Sequence, residues 1–444
     1  MVSNCIGGLR FYAKSLFAWN KAKFFTRLSR SNRNRNYQRL ALSRLLNFAK
    51  KNVPYYRTLI PDKVTPQSSF EVLLSMPLLS KQQIREAGAQ IYSDEVTRGG
   101  IESWTYWHNT GGSTGSPLKF PLKYSSKIEL ELTHQALIYQ KMGVSLFDRI
   151  SSVDGRRVEE SDLSNHVYWG ENEYNFPYGK YHYSTMYLEE STAHYYIEHL
   201  KKYPPKVLRG YPSGILTLCK FIEREEPFLD LKLKGVYITS ENSSQDDCDY
   251  ISNILNCPVW GQYGHSEMSI FAVRYPKSES YYCSPFYGVT EILDKYGNPV
   301  KVGETGEVVV SGFQNYALPF IRYKTGDLAQ YGGMEADGTV ILSCLQGRDT
   351  DYIIDIDGNR IYLVGFIFGG HLSAFNHIIH WQIEQSKFGE LTLRIVPASS
   401  YDKSIEQELI EFFMKKKISI SIDYCDAIPK TNRGKQKFLI QHLL

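Results

Sequence analysis

Thr110-Gly111-Gly112-Ser113-Thr114-Gly115-Ser116-Pro117-Leu118-Lys119 is the stretch on which the reading of this chain turns. Glycines let a backbone come close to an anion and point its N–H groups at it. Ser113 and Thr114 add hydroxyl donors, and Lys119 can add positive charge. Two familiar phosphate patterns do not fit. A Walker A loop needs Gly-Lys-Ser/Thr after its last glycine, where this chain has Gly115-Ser116-Pro117, and the G-x-G-x-x-G spacing is absent. By its own composition the segment is a candidate anion nest and no more.

Its company changes that reading. Tyr263-Gly264-His265-Ser266-Glu267, Tyr323-Lys324-Thr325-Gly326-Asp327, Gly347-Arg348-Asp349-Thr350-Asp351 and Pro429-Lys430-Thr431-Asn432-Arg433-Gly434-Lys435 follow it in order. Together the five segments resemble the motifs of the adenylate-forming superfamily of acyl-CoA synthetases, luciferases and peptide-synthetase adenylation domains. Within it, Leu45–Ala49 with Val53-Pro54-Tyr55-Tyr56-Arg57, and Leu318-Pro319-Phe320-Ile321-Arg322-Tyr323, look like the phenylacetate–CoA ligase-like branch. Asp351-Tyr352-Ile353 and Asp357-Gly358-Asn359-Arg360-Ile361 look like the members of that branch found in bacterial capsule and surface-polysaccharide clusters.

The resemblance implies an ATP-dependent, AMP-forming ligase that turns a carboxylic acid into an acyl-adenylate. The acyl group then goes to CoA or to an amine or hydroxyl acceptor such as a sugar. Thr110–Gly115 and Lys119 would hold phosphates, and Glu267 would be a ligand of Mg²⁺. Ser266 would donate to the α-phosphate, Tyr263 and Gly264 would lie by the adenine, and Ser240-Glu241-Asn242 would form the adenine-side loop. Asp327 would accept from the ribose hydroxyls, a role suited to a carboxylate. Arg348 and Lys435 would serve catalysis, Lys435 from a small domain that closes over the reactants, with Asp351 in the hinge. Tyr211 and His265 are substrate candidates, and a His265 that only fills space is the other reading. The hinge departs from the family pattern at Thr350, and no His follows Cys283 closely, so no zinc is expected. A catalytically silent, nucleotide-binding scaffold is the competing function, but a scaffold has no use for Glu267 and Lys435.

Composition is that of a globular chain of 444 residues, long enough for two or three domains. Seven scattered cysteines with no C-x-x-C pair argue against a disulfide framework, and no apolar run reaches membrane-spanning length. These features predict a cytoplasmic protein. Charge is uneven. Residues 1–60 hold thirteen Lys and Arg and no acid, while the rest, with 38 basic and 47 acidic residues, carries about −9. Such an arm, rich in Phe, Tyr and Trp, either packs back on the acidic body or rests on an anionic surface at the inner membrane face. No recognition motif supports nucleic acid.

The expected fold is α/β: a large body of several subdomains, with an antiparallel or barrel-like part, and a small α+β lid. The expected domains are 1–60 (the basic helical arm), 61–346 (the body) and 347–444 (the lid). Helices are expected at Arg39–Asn52, Tyr124–Lys141, Ser191–Lys202 and Asp402–Lys416. Strands are expected at Gly235–Thr239, Pro258–Tyr263, Thr290–Asp294, Glu307–Ser311, His380–Ser386, Leu391–Pro397 and Ile418–Tyr424.

Overall fold

The computed structural model describes every residue except 1, 31–32, 99–104, 110–117, 349–350, 364–365, 368–372, 399, 432–434 and 444. The chain divides into two compact units, Met1–Asp148 with Gly261–Leu345, and Arg149–Trp260 with Gln346–Leu444. It is a mixed α/β protein, as its alternating periodicities predict.

The first unit is built on antiparallel strands. Thr305–Gly312 pairs with Gly288–Leu293 on one side and with Tyr323–Met334 on the other. Tyr281–Cys283 pairs with both Val340–Arg348 and Phe271–Arg274, and the latter continues to the strand ending at Gly264. This sheet carries two of the motifs, on neighbouring parts of one unit. Helix Asn34–Asn52 buries Leu42, Leu45, Leu46 and Ala49 and stops where Val53 turns extended ahead of Pro54. Helix Tyr124–Lys141 has the predicted bounds. The basic arm begins as helix Val2–Arg30, whose Ala18, Trp19, Ala22 and Phe25 are buried. There Phe25 stacks on Phe286 at 4.2 Å, Gln140 donates to the Trp19 carbonyl, and Lys21 pairs with Glu129 at 2.7 Å.

The second unit begins with parallel strands Ile150–Asp154, Tyr181–Ser184, Val207–Gly210 and Gly235–Thr239. Helices Ala193–Lys202, Pro212–Glu225 and Gln245–Leu255 share a core with them, through Val153, Tyr196, Leu208, Ile215, Val236 and Ile251. Ser244 and Asp247 form a capping box that starts the last of these helices, and Asn256, left-handed at φ 47°, ends it.

Residues after 350 add a four-stranded sheet, ordered Ser419–Tyr424, Glu390–Pro397, Ile378–Lys387, Leu439–Gln441. Helix Lys403–Met414 covers it, capped by Asp402, which accepts from the Ser404 and Ile405 amides. Its Ile405, Leu409 and Phe413 join Ile383, Leu393 and Ile395 in a second core. The fourth strand, Leu439–Gln441, runs parallel to Ile378–Lys387 and enlarges the expected β-β-α-β unit.

Arg322 ties the first unit together. It is 8% exposed and grips the Glu291 carboxylate through Nε (3.1 Å) and Nη2 (2.8 Å). Its other terminal nitrogen donates to the carbonyls of Leu74 and Met76. Removing one partner of such a buried pair strands the other charge. Arg322→Ala should therefore lower the free energy of unfolding by about 3–5 kcal/mol, read from urea melts. A change below about 1 kcal/mol would mean that the pair is not structural.

Candidate functional site

Two clusters of the motif residues form, one in each unit. In the first unit, strand Tyr323–Met334 bulges against Thr305–Gly312 at Thr325-Gly326-Asp327, where the pairing register shifts. Gly326 takes φ +80°, which a side chain would resist, so the turn needs glycine. Thr325 Oγ1 donates to the Val308 carbonyl at 2.7 Å and accepts from the Asp327 amide at 3.0 Å. That fixes the Asp327 carboxylate, which accepts from the Tyr263 hydroxyl at 2.7 Å. Burial first, then the Asp327 charge, pushes the Tyr263 phenol well above its ordinary value, so it stays a donor.

Glu267 lies in the turn between the strands Val259–Gly264 and Phe271–Arg274 of the same sheet and is 4% exposed. Its Oε1 accepts from the Tyr323 hydroxyl at 2.6 Å, and its Oε2 lies 3.3 Å from His265 Nδ1. That last contact is within ion-pair range without hydrogen-bond alignment, since neither ring nitrogen of His265 has a partner so aligned. Burial alone would raise the Glu267 carboxyl; His265 and the Tyr323 hydroxyl outweigh it and hold the group at about 2. The carboxylate is thus kept ionised in an enclosed place. Mg²⁺ is held through few protein carboxylates, with phosphate oxygens and waters completing the shell. A single anionic Glu267 with one oxygen left by Tyr323 fits that donor set.

Lys119 opens strand Lys119–Lys123, its ammonium 5.3 Å from the centre of the Trp107 ring. Gly264 ends its strand with the Ile270 carbonyl 3.2 Å from where a Cβ would stand. Ser266 is half-buried. Thr110, Gly111, Gly112, Ser113, Thr114 and Gly115 lie outside the described residues.

In the second unit, Lys435 Nζ donates to the Ser240 carbonyl at 3.0 Å and stands 5.4 Å above the Tyr211 ring. Tyr211 is the residue before helix Pro212–Glu225. Glu241 accepts from the Ser213 amide (3.1 Å), in the first turn of that helix, and from the Gln436 amide (3.2 Å). Although residue 241 keeps some exposure, its carboxylate is enclosed; that pushes its protonation up, against the donors of Ser213 and Gln436 and the Lys435 charge. Asn242 is half-buried beside it. The Ser240–Glu241 part of the expected adenine-side loop, the substrate candidate Tyr211 and the catalytic candidate Lys435 are thus brought together. Arg348 ends strand Val340–Arg348 and accepts on its carbonyl from the Asp351 amide at 2.9 Å. Three contributors were not assigned roles by the motifs: Tyr323, Thr325 and Gln436. The first two stand inside the Tyr-x-Thr-Gly-Asp segment, which was the available signal.

A solved 2-hydroxyisobutyryl-CoA ligase, in the postadenylation state in complex with R3-HIB-AMP, is similar at TM-score 0.67, 18% identity, over 91% of this chain and 89% of that one. The chain has the adenylate-forming ligase fold. An acyl acid amido synthetase shares it at TM-score 0.55 and 15% identity, over 87% of this chain and 85% of the other. The family model of the CapK C-terminal domain matches residues 356–442. Protein CapK of Staphylococcus aureus is 23% identical over 416 residues, which is 89% of this chain and 87% of that protein. The resemblance read from the motifs, including its capsule-cluster branch, is borne out.

The depressed Glu267 carboxyl has a consequence for stability. Its stabilising share is complete above the ordinary value of 4.5 and is lost as pH falls toward about 2. The wild type should lose on the order of 2–3 kcal/mol more than Glu267→Gln between pH 5 and pH 2.5, in paired urea melts. Parallel acid profiles would show that Glu267 is not held ionised.

Proposed function

We propose that this protein is an AMP-forming ligase that activates a carboxylic acid as its acyl-adenylate and then hands the acyl group to CoA or to an amine or hydroxyl acceptor. One observation carries the reading: in a chain of this fold, Glu267 is a buried carboxylate kept charged by its neighbours. The likeness to a CoA ligase and to an amido synthetase supports both kinds of acceptor.

Two displacements make up the reaction. A carboxylate oxygen attacks the α-phosphorus of ATP; the bond to the β-phosphate bridging oxygen breaks, and pyrophosphate leaves. The acceptor's thiol, amine or hydroxyl then attacks the acyl carbon, loses its proton, and AMP leaves with the bond pair. Asp327, fixed by Thr325 and Tyr263, accepts from the ribose hydroxyls and so sets the α-phosphate in place. The segment Thr110–Gly115 with Lys119 grips the β- and γ-phosphates, and Ser266 donates to the α-phosphate. Glu267 would hold Mg²⁺, whose charge offsets that of the phosphate oxygens. Lys435 brings its ammonium to the developing charge, assisted by Arg348. Asp351 is the hinge residue of a closing segment 347–444. A place in surface-polysaccharide synthesis rests on the resemblance of Asp351–Ile353 and Asp357–Ile361 to capsule-cluster proteins, and the CapK domain match supports it.

A pyrophosphate-release screen over aryl, fatty, amino and hydroxy acids, with and without CoA, tests the reading. One class should give acid-dependent release; none across the screen would contradict it. With that acid, Lys435→Ala should cut adenylate formation by at least about 100-fold while ATP affinity stays within a few-fold. Equal loss of ATP binding would refute the assigned role. Glu267→Gln should raise the Mg²⁺ concentration needed for half-maximal rate, and an unchanged requirement would rule out ligation.

A further inference from the structure

Helix Val2–Arg30 has one face more than its packing needs. Ser15, Ala18, Trp19, Ala22 and Phe25 recur at the spacing of one helical stripe, and all are buried against the first unit. The opposite face of a helix that only packs on a body is expected to be polar. Here it carries Leu16, Phe17 and Phe24, each at least half exposed, with Tyr12 also exposed at the edge of the buried stripe. Exposed among or beside them are Lys14, Lys23 and Arg27, and no acid occurs anywhere in residues 1–60.

We infer that this outer face is a docking surface for an anionic lipid bilayer, lying flat in the headgroup region. Charge complementarity selects the occupant. Each Lys or Arg near an anionic leaflet is drawn to it, and the side chains of Phe and Leu can enter the acyl boundary beside them. Long basic side chains lay their stems along the apolar residues and keep their charge at the phosphates. A second copy of this chain is a poorer occupant, because it would set like-charged helices against each other. No helix among the described residues is long and apolar enough to cross a membrane, so the contact is superficial. The outer face thereby accounts for a basic, aromatic arm that the adenylation chemistry does not use.

The test is co-sedimentation of the full chain with phosphatidylcholine vesicles, with and without phosphatidylserine. The wild type should pellet with the phosphatidylserine vesicles, and raised salt should release most of it. The triple variant Leu16→Glu, Phe17→Glu, Phe24→Glu should lose at least about tenfold in vesicle affinity. Its urea midpoint should stay unchanged, because the three side chains are exposed. Equal pelleting of both proteins, or no preference for phosphatidylserine, would overturn the inference. So would a wild-type dimer that the triple substitution turns into monomer with no vesicle binding by either, which would assign the face to a second copy.

Discussion

A carboxylate enclosed by protein remains charged only where its neighbours replace the water it has lost. At Glu267 this is done by the Tyr323 hydroxyl at 2.6 Å and the imidazole of His265. The two partners come from different places: His265 is two residues away, Tyr323 is 56. The hydrogen bond therefore locks the Tyr-Gly-His-Ser-Glu segment to the Tyr-Lys-Thr-Gly-Asp segment. The Tyr263–Asp327 bond crosses the same two segments in the other direction. Two reciprocal bonds make one rigid acidic plate out of two motifs, with one carboxylate suited to a metal and the other to a ribose.

The second unit holds a complementary arrangement built from donors. The first turn of helix Pro212–Glu225 and the Gln436 amide both point at Glu241, and Lys435 rests on the Ser240 carbonyl. A helix N-terminus favours a carboxylate. Glu241 thus anchors the stretch that carries Lys435, whose ammonium donates to a backbone carbonyl. A lysine held by a backbone carbonyl can leave that carbonyl at small cost, which suits the role proposed for Lys435.

Much of this was legible because local pattern decides local structure. Helix Tyr124–Lys141 and strand Gly235–Thr239 keep their predicted bounds, since periodicity and turn residues act within a few positions. Helix Asn34–Asn52 starts five residues before the predicted Arg39, because its first turn bonds outward: Asn34 donates to Asp337 at 2.6 Å. Strand Leu439–Gln441 escaped notice, being three residues long and defined only by its parallel neighbour. In the site, Glu267, Asp327 and Lys435 could be named from their motifs. The motif contains Tyr323 but does not say that it bonds Glu267, nor that the Gln436 amide holds Glu241, for no spacing encodes a contact made across 56 or 195 residues. The outer face of the first helix was likewise hidden, since composition does not say which of two apolar stripes is buried.

The central claim is attack of a carboxylate on the α-phosphorus, and oxygen tracing tests it most directly. With an acid found to be a substrate and labelled with ¹⁸O in its carboxylate, one labelled oxygen should pass into AMP when the acyl group moves to its acceptor, as read by mass spectrometry. Label in inorganic phosphate, with ADP formed in place of AMP, would mean an acyl-phosphate route and would contradict the account.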